Sequence, residues 1–213
     1  MKPVNIGLIG CGNISSAYLN AASRFNNIRI VACADLSQQN ARQTASTYGI
    51  DLLEVSALLE SDNIKIVLNL TPPDSHADIN LEAVRAGKHT YCEKPFALNL
   101  EAGKHVLEEA GKKGLLVGCA PDTFLGVGQQ TGRFHLDAGI IGEPVAATIN
   151  MMNHGPDSWH PNPFFYYQEG GGPLLDMGPY YLSSLVNLLG PVVQVSGMGT
   201  NSPVKRFAGH ADI

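Results

Sequence analysis

Over the first 120 residues, short runs of consecutive apolar side chains alternate with longer stretches in which apolar residues recur every three or four positions. The runs at 4–9, 28–34, 65–70, 89–92 and 115–118 are rich in Val, Ile and Leu and read as strands. Between them, 14–25, 38–48, 75–86 and 100–112 carry helical spacing. Ser75 followed by Asp78 has the pattern of a capping box, and Gly87 and Gly114 stand where helix C-termini belong. Near-continuous apolar strands separated by helices predict an α/β domain over residues 1–120, a doubly wound parallel sheet covered on both faces. Ligands of such a sheet bind beyond the C-terminal ends of its strands, where the strand order reverses.

After Ala120 the texture changes. A helix is predicted over 126–137, a turn over 142–144 and a strand over 145–150, before the loop MMNHGPDSWHPNPFFYYQEGGG, which is rich in Gly, Pro, His and aromatics. A helix over 174–188 and a strand over 192–197 follow, and the final TNSPVKRFAGHADI shows neither period. The expectation is a second domain over 121–213, an incomplete α+β unit with an open sheet. There is no internal repeat and no low-complexity tract.

Composition narrows the function. With 213 residues, 44% of them hydrophobic, the chain can build a packed core. Its 14 Lys and Arg are scattered and the net charge is -5, which argues against nucleic acid or an anionic membrane as partner and for a small molecule. The opening MKPVNIGLIGCG enters a strand without a basic head or cleavage site, and no run reaches membrane-spanning length, so a cytoplasmic protein is expected. Cys11, Cys33, Cys92 and Cys119 are spaced 22, 59 and 27 apart, matching neither a metal knuckle nor a redox pair, and are expected to be reduced, packed thiols.

Gly10, Gly12, Asn13 and Ile14 lie between the first strand and first helix in the pattern G-x-G-x-x-S, with Ser15 at the third small position. Gly10 permits a tight turn, Gly12 lets backbone approach a pyrophosphate, and the helix N-terminus directs N–H groups at the phosphates, which is the logic of a dinucleotide-binding Rossmann turn. A strand–helix turn that merely needs glycine has the same pattern. Asp35 ends the second strand 23 residues after Gly12, where a carboxylate accepts hydrogen bonds from a ribose and repels a 2′-phosphate. No arginine follows it, so NAD is expected over NADP; capping of the next helix is the other use for that carboxylate. Thr71, Pro72 and Pro73 close the third strand, either as a floor for the nicotinamide or only as a strand terminator.

These segments, with Glu93-Lys94-Pro95, the TPPDSH stretch at 71–76 and the later GGGPLLDMGPYY, resemble the glucose-fructose oxidoreductase and inositol dehydrogenase family, Gfo/Idh/MocA, from residue 4 to about 197, with a C-terminal truncation. The resemblance implies a nicotinamide-nucleotide domain, a substrate domain on an open sheet, and homo-oligomers formed through that sheet. It implies that the lysine of the EKP motif, Lys94, stands between nicotinamide and substrate, with Glu93 orienting it, and that the lysine–proline peptide is often cis. Elementary chemistry agrees, because a developing alkoxide is stabilised by a fixed ammonium in a dry cleft. An exposed Glu–Lys pair of little energetic weight is what the two residues alone suggest.

Asp176 and Tyr180 are four apart in a predicted helix and share a face. Many family members have histidine at the position of Tyr180, as the group exchanging a proton with the substrate hydroxyl. The glucose-fructose oxidoreductase and dihydrodiol dehydrogenase branches resemble this chain in having tyrosine. A neighbouring ammonium favours a phenolate, so Lys94 with Tyr180 would make an acid–base pair and Asp176 would position the substrate; an ordinary half-buried helix aromatic is the plainer reading of Tyr180. His154, Trp159 and His160 suit contact with a sugar or polyol ring as well as loop packing, and His76 belongs near the nicotinamide loop. The spacing of His154 and His160 fits no familiar metal-ligand pair, and no metal is expected. The function expected is an NAD-dependent oxidoreductase moving hydride to or from a carbinol or carbonyl carbon of a sugar or polyol. The alternative is a nucleotide-binding but inactive relative or ligand sensor.

Overall fold

The computed structural model describes residues 2–158, 163–167 and 171–199 and divides the chain into two compact units, one ending at Ala120 and the other beginning at Pro121. In the first unit six parallel strands, β1 Val4–Ile9, β2 Ile28–Ala34, β3 Asp51–Leu52, β4 Ile66–Asn69, β5 His89–Cys92 and β6 Val117–Cys119, form one sheet in the order β3-β2-β1-β4-β5-β6. The helices are α1 Ser15–Ala22, α2 Gln38–Tyr48, α3 Val55–Glu60, α4 His76–Arg85 and α5 Leu100–Lys112. This is the predicted doubly wound Rossmann sheet, and its order reverses between β1 and β4.

Strand alternation distributes the core over both faces of the sheet. Ile6 and Leu8 of β1 pack with Leu19 of α1, Ile30 and Cys33 of β2, Ala41 of α2 and Leu68 of β4. Ile9 packs with Ala32, Ala34, Val67 and the α3 residues Leu58 and Leu59 on the other side. A register shift after Ile6 lets Gly7 pair with Ala32 rather than Val31. A Cβ at Gly7 would come within 2.7 Å of the Leu58 side chain, so glycine there permits α3 to approach β1. Gly87 and Gly114 have φ of 78° and 65°, the left-handed conformation of helix-ending glycines.

Two local expectations fail in this unit. The Ser75–Asp78 capping box does not form: a 3-10 turn, Pro73–Ser75, runs straight into α4, so Ser75 has helical backbone angles and its hydroxyl bonds the Asp74 carboxylate instead. β3 and α3 fall in a stretch for which no element is predicted, because two residues and six residues are too short to display a period.

In the second unit α6 is Val127–Asp137 and α7 is Gly172–Leu189, with 3-10 turns at Thr123–Leu125 and Pro163–Tyr167. Arg133 of α6 donates to the carbonyls of Asn187 (2.9 Å) and Leu188 (3.0 Å), giving cationic partners to the last turn of α7, and forms an ion pair with Asp137. The strands expected at 145–150 and 192–197 are not strands. A strand exists through its ladder, and among the described residues nothing in the second unit pairs with either segment. Both lie largely exposed, Val193 to 99%. The expected open sheet of this unit is therefore corrected to two helices with irregular connections among the described residues. No helix of the described residues is long and apolar enough to cross a membrane.

Candidate functional site

The glycine turn leaves β1 at its C-terminal end, beside the reversal in strand order. Gly10 has φ of 100° and lies so close to β4's exit that a Cβ would sit 2.5 Å from the Leu70 carbonyl carbon. Gly12, Asn13 and Ile14 are exposed, and a Cβ built on Gly12 meets nothing within 4 Å. α1 begins without a side-chain cap, whereas Ser37 caps α2 and Asn99 caps α5. The turn thus presents open, exposed backbone at a helix N-terminus, of the kind that a pyrophosphate can approach.

Asp35 is fastened to this turn. One carboxylate oxygen accepts the N–H of Cys11 at 2.6 Å and the other accepts the N–H of Ser37 at 2.6 Å. Ser37 itself caps α2, through Asn40 N–H, so Asp35 is not the cap. The carboxylate couples the tip of β2 to the glycine turn and keeps negative charge beside it. Cys11, inside the turn, has its thiol held below the ordinary range by the adjacent Cys33 thiol, against the effect of burial; Cys33 is pushed up by the same contact and by burial.

A buried polar network holds the exits of β4 and β5. Asn69, at the end of β4, accepts from the N–H and hydroxyl of Thr71 and donates to the His76 carbonyl and to Asn80. Thr90 of β5 donates its hydroxyl to the same Asn80 oxygen. His76 is only 1% exposed, and its ring is engaged on both sides: Nδ1 lies 2.6 Å from the Pro95 carbonyl and Nε2 2.7 Å from the Thr71 carbonyl. Carbonyls only accept, so the ring nitrogen that carries the hydrogen donates to its carbonyl, and the other contact fixes the ring by packing. His76 therefore stands behind the Thr71–Pro72 loop and clamps it to the segment after Lys94, a role that sequence gives no sign of because its partners are backbone. His76→Ala should cost about 3–5 kcal/mol, from a cavity and a stranded carbonyl. Urea unfolding of the variant checks this; a midpoint unchanged from wild type would show that the clamp carries no weight.

Glu93 and Lys94 follow β5. The Glu93 carboxylate accepts the Tyr18 hydroxyl at 2.7 Å and the Lys94 backbone N–H at 2.9 Å, so it fixes the lysine's main chain from α1's side. The Lys94–Pro95 peptide is cis. Lys94 is half-buried. In the second unit Asp176 and Tyr180 are both half-buried, one turn apart on α7, and Pro179 between them contributes no N–H to the helix ladder. His154 is exposed in the loop before a turn in which Tyr167 donates to Asp157. Trp159 and His160 lie outside the described residues. The structure thus sets Gly10, Gly12, Asp35, Thr71, Pro72, His76, Glu93 and Lys94 beyond the C-terminal ends of the first unit's strands, and Asp176 with Tyr180 on one helix of the second. Among the described residues no cluster of His, Cys, Asp and Glu is suited to a metal.

Residues 4–120 match the family model described as an oxidoreductase family with an NAD-binding Rossmann fold, and residues 130–212 match that family's C-terminal domain. The inositol 2-dehydrogenase of Rhizobium meliloti (strain 1021) is 32% identical over 179 residues, covering 82% of this chain and 51% of that protein. Among solved structures, an NAD-binding oxidoreductase from Klebsiella pneumoniae is 27% identical with a TM-score of 0.73, covering 88% of this chain and 54% of that one. Biliverdin reductase from Synechocystis sp. PCC 6803, in complex with biliverdin and NADP+, is 28% identical with a TM-score of 0.70, covering 90% and 60% respectively. The chain spans about half the length of the curated relatives it matches, 51% in the case of the Rhizobium protein.

Proposed function

The chain belongs to the Gfo/Idh/MocA oxidoreductase family, and from that premise we propose that it binds a nicotinamide dinucleotide and moves a hydride between it and a carbinol or carbonyl carbon of a sugar or polyol. The observation that carries the nucleotide half is the open glycine turn, with Gly10 folded at positive φ against β4 and no side chain filling the space above Gly12. The substrate class follows from the sugar and polyol enzymes among the relatives, of which the Rhizobium inositol 2-dehydrogenase is one.

When bound, the nicotinamide supplies the hydride donor or acceptor. The chain's own residues do the rest: the Lys94 ammonium stabilises charge developing on the substrate oxygen, the Tyr180 phenol exchanges the proton, and Asp176 orients the substrate hydroxyl. His154 contacts the sugar, as do Trp159 and His160. Thr71 and Pro72 floor the ring, held from behind by His76. NAD is the form used: the Asp35 carboxylate, bonded to Cys11 N–H, sets a negative charge where a 2′-phosphate would come, and Leu36 and Ser37 offer no cation to offset it.

Titration of NADH and NADPH, read by dinucleotide fluorescence, should give at least about tenfold tighter binding of NADH, corresponding to about 1.4 kcal/mol. A panel of polyols and sugars with NAD should then produce NADH with at least one member. No binding of either dinucleotide overturns the nucleotide reading. Tight binding with no turnover across the panel overturns the enzymatic one and leaves a nucleotide-binding sensor.

A further inference from the structure

We propose that Cys92 and Cys119 form a redox-responsive dithiol, a modification site at which a peroxide closes a disulfide between β5 and β6 at the peptide that leads into Lys94. The sheet makes the pair. Cys92 and Cys119 are register partners on adjacent parallel strands, so their side chains leave the same face. Neighbouring strands are about 4.8 Å apart, within the Cα separation of about 4.4–6.8 Å that disulfides span. Both sulfurs lie near the Glu93 carbonyl oxygen, Cys92 at 3.0 Å and Cys119 at 3.7 Å, while the closer acceptor of Cys119 is the Ala120 carbonyl at 2.9 Å. Each remains a free thiol in this structure.

The surroundings give the two sulfurs different parts. Cys92 is 0% exposed, while Cys119 is half-buried and is the one an oxidant reaches. The Asn80 amide nitrogen, buried and without an oxygen partner, interacts with Cys92 and favours its thiolate. Contact with the Cys119 thiol, and then burial, outweigh it and push the Cys92 thiol above the ordinary range, so Cys92 waits as the protonated partner. The Cys11–Cys33 pair is also adjacent, but neither member is accessible: both are buried. It serves as the internal control.

The chemistry balances with hydrogen peroxide as oxidant. The Cys119 sulfur attacks one peroxide oxygen; the O–O bond breaks, and a sulfenic acid and one water result, the thiol proton leaving with that water. The Cys92 sulfur then attacks the Cys119 sulfur, the S–O bond breaks, and the departing hydroxide takes the Cys92 proton as a second water. Two electrons pass from the two sulfurs to the peroxide. Closing the bond removes both S–H donors from the Glu93 carbonyl, the same residue whose carboxylate holds the Lys94 N–H. The predicted effect on turnover rests on the role proposed for Lys94; the disulfide itself does not.

The test uses the full chain, reduced and then exposed to hydrogen peroxide at low molar excess. Thiol titration should fall from four groups to two, and non-reducing peptide mapping should find the segments containing Cys92 and Cys119 joined. Dithiothreitol should restore all the thiols, and Cys119→Ser should abolish the link while keeping its NADH affinity. Turnover of the oxidised form should be lower by about tenfold or more, as expected for a displaced reacting group. Recovery of Cys92 as an alkylatable thiol while Cys119 advances to the sulfinic acid, or a link between Cys11 and Cys33 instead, overturns the proposal. If the reduced chain neither binds nor reduces NAD, the proposed function fails, and the peptide map still decides the dithiol.

Discussion

Lys94→Ala is expected to lower kcat by about 10²–10⁴-fold, the range that a positioned proton-transfer or oxyanion-stabilising group supplies, and to leave NADH affinity within about twofold. The expectation follows from how the residue is held. The Lys94 main chain is anchored by the Glu93 carboxylate, which Tyr18 also grips from α1, and the segment beyond it is clamped through Pro95 to His76. Such anchoring of a lysine's backbone is more than a surface ion pair requires, since an exposed Glu–Lys pair contributes at most about 1 kcal/mol. Steady-state kinetics with the substrate found in the panel, together with NADH titration, separates the outcomes. Equal loss of turnover and of NADH affinity would show that Lys94 supports the fold of the nucleotide edge rather than the reaction, and unchanged kinetics would return it to the solvated surface.

Gly10→Ala should be the most damaging small substitution in the first unit. The new methyl carbon would stand 2.5 Å from the Leu70 carbonyl carbon, 2.6 Å from its oxygen and 2.7 Å from the Thr71 nitrogen, all backbone atoms that cannot swing aside. The residue would also keep a φ of 100°, which costs a side-chain-bearing residue about 1–3 kcal/mol before any clash is counted. Overpacking adds about 1–3 kcal/mol, a large part of the 5–15 kcal/mol that holds a typical domain together. The variant should therefore unfold at much lower urea and lose NADH binding. Gly12→Ala, whose methyl group meets no protein atom, should keep wild-type stability and weaken only the dinucleotide. If both variants are equally stable, the packing of the glycine turn against β4 is wrong.

The parts of this fold that were legible in the sequence are those where one signal marks an element and another marks its end. β1, β2, β5, α2 and α5 have the expected bounds, because apolar runs end at Gly10, Asp35 or Glu93 and helices begin at Ser37 or Asn99. The lysine and the glycine turn were legible for the same reason, as local motifs. What escaped was whatever depends on partners distant in the chain. Cysteine spacing points to reduced, packed thiols with no paired motif, yet sheet register sets Cys92 opposite Cys119. His76 carries its role through two carbonyls, which have no letter in the sequence. Asp35 is legible as a carboxylate at the end of β2, while its bond to Cys11 N–H appears only once β1 and β2 lie side by side. The segments 145–150 and 192–197 have strand composition, and composition alone does not supply a neighbour.

β1 comes before the other strands of this sheet along the chain and is one of the two at its middle, flanked by β2 and β4. During synthesis at the ribosome, the turn at Gly10 has nothing to close against until the residues of β4, some sixty positions later, have emerged. The nascent chain must therefore keep β1 half-partnered through β2, α2 and α3, and the lip of the glycine turn is completed by a segment translated long after the turn itself.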